Sequence, residues 1–371
     1  MTDWAVDFDH VDQAWIDNPF PLWNSLRTRC PVATTRRYGG AYLLTRYDDV
    51  RAVAYDHENF SSRTIIVREQ PLLQPFHAPP MTSDAPYHRP SRMMLLPAFT
   101  APEARRREQD TVCIAKDLLA SFRGRSEIDA AAEYAYPLAL RVLLDVLGLP
   151  KVDEHLFNAW ARDVVITGIQ DAAVVKHAGE EMTRYFQRQI KLRQAQPRGD
   201  FISQLLSARD QDAAMPITHM AASLRLLVLA GIDTTASVVG AALWHLAQHD
   251  DDREVLLKDP SLMPSAVEEF LRAYAPTTMA REVRKETEIN NVTLKAGRLV
   301  LLCFPAANRD PEEFEDPEKI DFRRDAKKHL AFGAGIHRCI GMHVARMIIE
   351  RGLNEWLKAF PDYKLNPAQP V

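Results

Sequence analysis

The most constraining segment of this chain lies near its C-terminal end: Phe332-Gly333-Ala334-Gly335-Ile336-His337-Arg338-Cys339-Ile340-Gly341. A single cysteine sits among glycines, seven residues after a phenylalanine and two before a glycine, ahead of a helical pattern over 342–357. Glycines let the backbone approach closely and adopt positive φ. At the mouth of a helix, free N–H groups and the positive dipole end favour a thiolate over a thiol. Phe332 is placed to shield the sulfur from water. A lone cysteine is usually a small buried hydrophobe. The phenylalanine, histidine and three glycines at fixed offsets point instead to a thiolate held against a flat metal cofactor.

The remaining sequence limits the alternatives. A chain of 371 residues, nearly half of them hydrophobic, can bury a sizeable core. A net charge of −4 suggests no nucleic-acid partner. Cys30, Cys113, Cys303 and Cys339 form no Cys-x-x-Cys pair or zinc pattern. Scattered cysteines suit a reducing cytoplasm, where a thiolate survives. The start, Met-Thr-Asp-Trp-Ala-Val-Asp-Phe-Asp-His, has no basic n-region and no apolar run of anchor length. No membrane attachment is expected. The most apolar stretch, 226–247, is interrupted by Asp233 and His245 and reads as a buried core helix.

Tyr42-Leu43-Leu44-Thr45 reads as a strand leaving the Gly39-Gly40 turn, and 47–55 as a helix. Residues 62–86, with five prolines, read as a long loop. Helical patterns follow over 101–122, 129–147, 153–168, 174–195, 199–209, 216–248, 251–257 and 262–275. Short strands are expected over 281–304 with a turn at Asn290-Asn291, then an irregular charged segment over 308–328. The expected fold is mainly α with small β-sheets, in one domain over 1–371.

The long central helix carries Ala230-Gly231-Ile232-Asp233-Thr234-Thr235 in an apolar setting. Gly, Asp and two Thr in succession are unfavourable inside a helix. They are expected to loosen the backbone ladder and open a groove.

The cysteine segment matches F-G-x-G-x-H-x-C-x-G, the haem-binding signature of the cytochrome P450 family, at every defined position. The central insert resembles that family's oxygen-activation motif. The resemblance implies the family's helix-rich fold, with haem b between the long helix and the cysteine loop, and Cys339 as axial iron ligand. It implies that Thr234 hydrogen-bonds at the oxygen-binding side while Asp233 relays protons from solvent. A thiolate axial ligand favours O–O cleavage.

Glu269-Phe270-Leu271-Arg272 matches the family's E-x-x-R motif, implying a buried pair that ties its helix to 308–328. Alone, such charges three apart would be a solvated helix face. Asn308-Arg309-Asp310-Pro311 and Asp316-Pro317 with Asp321-Phe322-Arg323 resemble the family's matching segment, and a charge from there is expected to complete that network. Asp84-Ala85-Pro86-Tyr87-His88 followed by Arg92 resembles the stretch that binds the haem propionates. Arg281 and His337 complete the expected set. Pro90 between His88 and Arg92 requires the helix to begin near Tyr87.

No nucleotide or iron–sulfur fingerprint appears, so electrons are expected from another protein; the resemblance to soluble bacterial members implies a small acidic ferredoxin fed by a reductase. Arg92, Arg105, Arg106, Arg107, Lys327, Lys328 and Arg338 are candidate docking cations. Leu226, Leu229, Ala230, Thr277 and Met279 are expected to line the substrate pocket, roofed by Ile65, Ile66, Leu72, Leu73 and Phe76. This lining favours a small hydrophobic substrate; no cation is evidently poised for a substrate carboxylate, Arg63 and Arg68 being the candidates. The chain stops at Val371, so the family's C-terminal β-hairpin is expected to be missing. The expected activity is monooxygenation of that substrate with O2, by a monomer. A peroxide-using haem-thiolate enzyme and a non-catalytic haem sensor are the alternatives; the intact Asp233-Thr234 pair disfavours both.

Overall fold

The structure is a computed structural model and describes residues 3–67, 77–165, 167, 171–210 and 213–369. In chain order the elements are α1 (Gln13–Asp17), α2 (Phe20–Arg29), β1 (Val32–Thr35), β2 (Ala41–Leu44), α3 (Tyr47–Tyr55), β3 (Phe60–Ser61), α4 (His88–Leu95), α5 (Ala101–Arg106) and α6 (Glu108–Ala120). A π-helical turn, Ala130–Ala135, leads into α7 (Tyr136–Leu147). Then come α8 (Glu154–Val165), α9 (Ala172–Ala195), α10 (Phe201–Ser207), β4 (Arg209–Asp210), β5 (Ala213–Ala214), α11 (Ile217–Gln248), α12 (Asp250–Lys258) and α13 (Met263–Ala273). The last elements are β6 (Met279–Val283), β7 (Thr287–Ile289), β8 (Val292–Leu294), β9 (Leu299–Leu302), α14 (Phe304–Ala307) and α15 (Met342–Ala359). Residues 360–369 leave α15 in turns.

The described chain gathers into two compact units. The first comprises Met1–Arg89, Leu271–Asp321 and Asp325–Cys339. It is built on a five-stranded sheet of order β1-β2-β9-β6-β3. β2 runs parallel to β9 with Ala41 opposite Leu299, and β6 runs antiparallel to β9 with Arg281 opposite Val300. Side chains alternate across a strand. Leu44, Val283, Val300 and Leu302 therefore join one core, which also takes in Tyr47, Ala54, Leu330 and Ala334. Leu43, Ala280 and Leu301 join a second core with Trp15 and Trp23. Arg281 shares its parity with Val283, which puts it on the sheet face that packs Leu330 and Ala334, the residues around the cysteine loop. The turn expected at Asn290-Asn291 joins β7 to β8, both asparagines at positive φ (49° and 61°), as a two-residue hairpin requires.

The second unit comprises Pro90–Phe270, Phe322–Arg324 and Ile340–Val371, with α11 at its centre. α7, α9, α15 and the π-helical turn pack on α11. α11 has the length and hydropathy of a membrane span, but it is the core helix of this unit, with Leu224, Val239, Ala242 and Leu246 fully buried.

Several elements depart from expectation. Helix 199–209 is shorter, as α10, because Arg209 and Asp210 pair with 213–214 as a hairpin. Helix 101–122 is interrupted at Arg107 into α5 and α6, and 129–147 begins with the π-helical turn. α11 is not opened at its polar insert. It stays helical throughout, with the Thr234 hydroxyl donating to the Ala230 carbonyl one turn earlier at 2.7 Å. Gly231 serves packing: a Cβ there would lie 3.1 Å from Cδ2 of Leu143 on α7. α1, α2 and β1 were not read from the sequence.

Candidate active site

The cysteine loop belongs to the first unit and is shaped by its glycines. Gly333 and Gly335 take φ of +65° and +67°. A Cβ on Gly335 would lie 2.4 Å from the Ala54 carbonyl at the end of α3, so that position excludes any other residue without a backbone shift. The Cys339 N–H donates to the Phe332 carbonyl at 2.8 Å, and the Gly333 N–H to Leu330 at 2.8 Å. Phe332 thus closes the loop through its backbone. Cys339 itself is exposed and precedes α15 by three residues.

Neighbouring segments hold this loop in place. Asn308, fully buried, accepts from the Leu330 N–H at 2.6 Å. The Tyr47 hydroxyl donates to the Lys328 carbonyl at 2.8 Å, and the Tyr47 N–H to Asp310 at 2.9 Å. Arg272, fully buried, donates to the carbonyls of Asn308 (3.0 Å) and Pro317 (2.8 Å) and also of Lys319. The expected tie between the E-x-x-R helix and 308–328 is therefore made by Arg272 through backbone carbonyls.

The same unit brings together three of the expected propionate ligands. His88 is 4 % exposed, and its ring meets that of His337 edge-on, centroids 4.4 Å apart. Pro90 falls in the first turn of α4, as its missing N–H requires. Arg281 is 5 % exposed, donates to the Ala280 carbonyl at 2.7 Å and joins no ion pair among the described residues. Burial pushes its guanidinium down to about 10, with the charge of Asp84 opposing the shift. Asp84 is already engaged by the Ser61 hydroxyl (2.6 Å), the Ser62 N–H (2.9 Å) and the Arg284 guanidinium. Burial alone would raise its carboxyl, and these donors outweigh that and hold it below the ordinary carboxylate value. A buried cation without a paired carboxylate is costly by itself. It fits an anionic group such as a haem propionate. Arg284 and Tyr47 were missed by sequence reading because each acts through a partner far away in the chain.

In the second unit, Asp233 is half-buried on α11 and burial pushes its carboxyl up. It accepts no hydrogen bond among the described residues. Leu226 is buried, Leu229 half-buried and Ala230 exposed on the same helix. Glu269, fully buried, pairs with Arg324 at 3.2 Å. Arg324, one residue beyond the segment expected from the sequence, thus supplies a completing charge. Arg92 is half-buried on α4, four residues after His88.

Of the pocket expectations in the first unit, Thr277 and Met279 are half-buried, and Met279 packs against the sheet core. Ile65 is buried and Ile66 exposed. Leu72, Leu73, Phe76 and Arg68 lie outside the described residues. Arg63 is exposed and lies 3.5 Å from Asp84. Among the docking cations, Arg105, Lys327 and Arg338 are exposed. Arg106 pairs with Glu103, and Lys328 with Glu313 at 3.1 Å. Arg107 is a correction: its guanidinium, largely buried, is committed to Asp145 as an internal link from the α5–α6 break to α7.

The cytochrome P450 family model matches residues 168–259 and 251–368. Cytochrome P450 107B1 of Saccharopolyspora erythraea is 31 % identical over 350 residues, spanning 90 % of this chain and 86 % of the relative. The vitamin D(3) 25-hydroxylase of Pseudonocardia autotrophica is 33 % identical over 340 residues, 89 % of this chain and 83 % of the relative. The solved structure of the Bacillus subtilis bacillaene polyketide synthase cytochrome P450 PksS superposes with a TM-score of 0.89 at 28 % identity, covering 97 % of this chain and 94 % of that one. The chain belongs to the cytochrome P450 family, as a monooxygenase whose cofactor is haem b.

Proposed function

We propose that this monooxygenase inserts oxygen from O2 into a hydrophobic substrate, using electrons delivered by a separate ferredoxin and its reductase, as a cytoplasmic monomer with one haem domain. One relative is named for hydroxylating vitamin D(3), an apolar molecule. The apolar side chains of Leu226 and Leu229 support the same substrate class. Under this reading Cys339 would hold the haem iron through its sulfur, with its loop fixed by Gly333, Gly335 and Asn308. Arg281, His88, His337 and Arg92 would hold the propionates. Bound haem supplies the one-electron and oxygen chemistry.

The protein's own contribution is proton handling. The observation that carries this reading is the acid–alcohol pair Asp233-Thr234 on an apolar helix. Burial pushes the Asp233 carboxyl up and so favours its protonated form more than in water, and its half exposure leaves a route for re-protonation. The Thr234 hydroxyl donates to the Ala230 carbonyl, which leaves its oxygen free to accept a hydrogen bond. Donation elsewhere requires it to leave that carbonyl.

Thr234→Ala tests the role. Electron consumption should continue while the share ending in product drops. Coupling equal to wild type would refute the role and favour a peroxide-using enzyme, which needs no such pair.

A further inference from the structure

The first unit carries a groove of about 1150 Å³ that shares no residue with the cysteine loop, its supports or the propionate set. It lies between the turn that joins β1 to β2 and the turn that joins β8 to β9. Tyr42 ties the two turns together. The Lys295 N–H donates to its hydroxyl oxygen at 3.1 Å, and that hydroxyl donates to the Thr293 carbonyl at 3.2 Å. Gly40 takes φ of +90° and makes room for Arg298, since a Cβ there would lie 2.8 Å from the Arg298 guanidinium.

Arg36, Arg37, Lys295 and Arg298 line the groove, and Asp7 is the acid in its wall. Arg37 answers Asp7 at 3.5 Å and Asp9 at 3.1 Å. Arg36, Lys295 and Arg298 are exposed and pair with no carboxylate among the described residues. The groove therefore carries a surplus of positive charge. A small phosphate fits it poorly. A phosphate cradle uses free backbone N–H groups, and those of Arg37, Gly40, Lys295, Gly297 and Arg298 already donate within the protein. The cations instead stand apart on two turns, in a groove larger than the usual small-ligand pocket of about 300–1,000 Å³. Val6, 58 % exposed in the same wall, adds an apolar contact beside them.

We propose that this groove docks an acidic segment of a partner protein, its carboxylates meeting Arg36, Lys295 and Arg298 and an apolar side chain resting on Val6. The partner is distinct from the electron donor, whose candidate cations all lie outside the groove. Exposed charge of this kind sets the rate and selectivity of encounter more than raw affinity.

The test is fluorescence anisotropy of a labelled oligoglutamate peptide flanked by leucine, added to the full haem-loaded chain at low salt. Lys295→Glu combined with Arg298→Glu should weaken binding about tenfold. Lys191→Glu combined with Arg198→Glu, on exposed side chains at and beyond the end of α9, changes the net charge equally. That control should weaken binding less than about twofold. Equal losses in the two double variants, or no binding by wild type, would overturn the proposal. So would inorganic pyrophosphate that displaces the peptide at lower concentration and needs Lys295 and Arg298, because the groove would then be a phosphate site. Reduction of the haem by a ferredoxin and its reductase should run equally fast in wild type and in the Lys295→Glu, Arg298→Glu variant. A slower rate in that variant would give the groove to the electron donor and remove the second partner. If wild type itself takes no electrons from ferredoxin, the electron-supply reading falls, and the peptide measurement still decides the docking.

Discussion

The cysteine loop and the polar turn of α11 differ in how their polar groups are partnered. In the loop, the N–H groups of Leu330, Gly333 and Cys339 each have an acceptor, and Asn308, Tyr47 and Gly335 press it into one conformation. On α11, Asp233 accepts no hydrogen bond among the described residues, and the Thr234 hydroxyl reaches only the Ala230 carbonyl. A metal ligand needs a fixed position. A proton carrier needs partners that it can exchange, and a fully satisfied carboxylate would surrender its proton too readily or hold its place too firmly.

Four changes would break or sharpen this contrast. The largest effect is expected from Glu269→Ala, which leaves the Arg324 guanidinium largely buried without its carboxylate. A loss of about 3–5 kcal/mol is expected by denaturant titration. A change under 1 kcal/mol would remove this pair from the support of the fold. Asp233→Asn should slow product formation roughly a hundredfold while thermal stability holds or rises, because a costly buried charge is gone. Equal losses of stability and activity would make Asp233 a structural residue.

Gly335→Ala is next. Positive φ and the Ala54 carbonyl together should cost about 2 kcal/mol, read as a lower Tm and weaker haem retention. The smallest effect concerns Asp84, whose carboxyl is held below its ordinary value of 3.8. Its stabilisation is present above that value and is lost as pH falls through the depressed folded value. The Tm gap between wild type and Asp84→Asn should therefore narrow only below about pH 3.8. A gap that closes near neutral pH would show that the Ser61 and Arg284 contacts contribute nothing.

Legibility from sequence followed the same division. Local chemistry was readable: Pro90 placed the start of α4, Asn290-Asn291 marked the hairpin, and hydrophobic length marked α11. The residues of the signature could be named without a fold. Sequence did not reveal what lies far off along the chain. Glu269 takes Arg324, just past the segment that the sequence offered, because spacing cannot say which side chain turns inward. Arg107 looked like a surface cation until Asp145 was placed beside it. Gly231 looked like a helix breaker, yet it makes room for Leu143.

The central claim is that Cys339 ligates the iron as a thiolate. The reduced, carbon-monoxide-treated spectrum tests it most directly, taken on wild type and on Cys339→Ser. Wild type should show the long-wavelength Soret band of thiolate ligation, and Cys339→Ser should lack it. A wild-type spectrum without that band, or a Cys339→Ser spectrum that keeps it, would contradict the assignment.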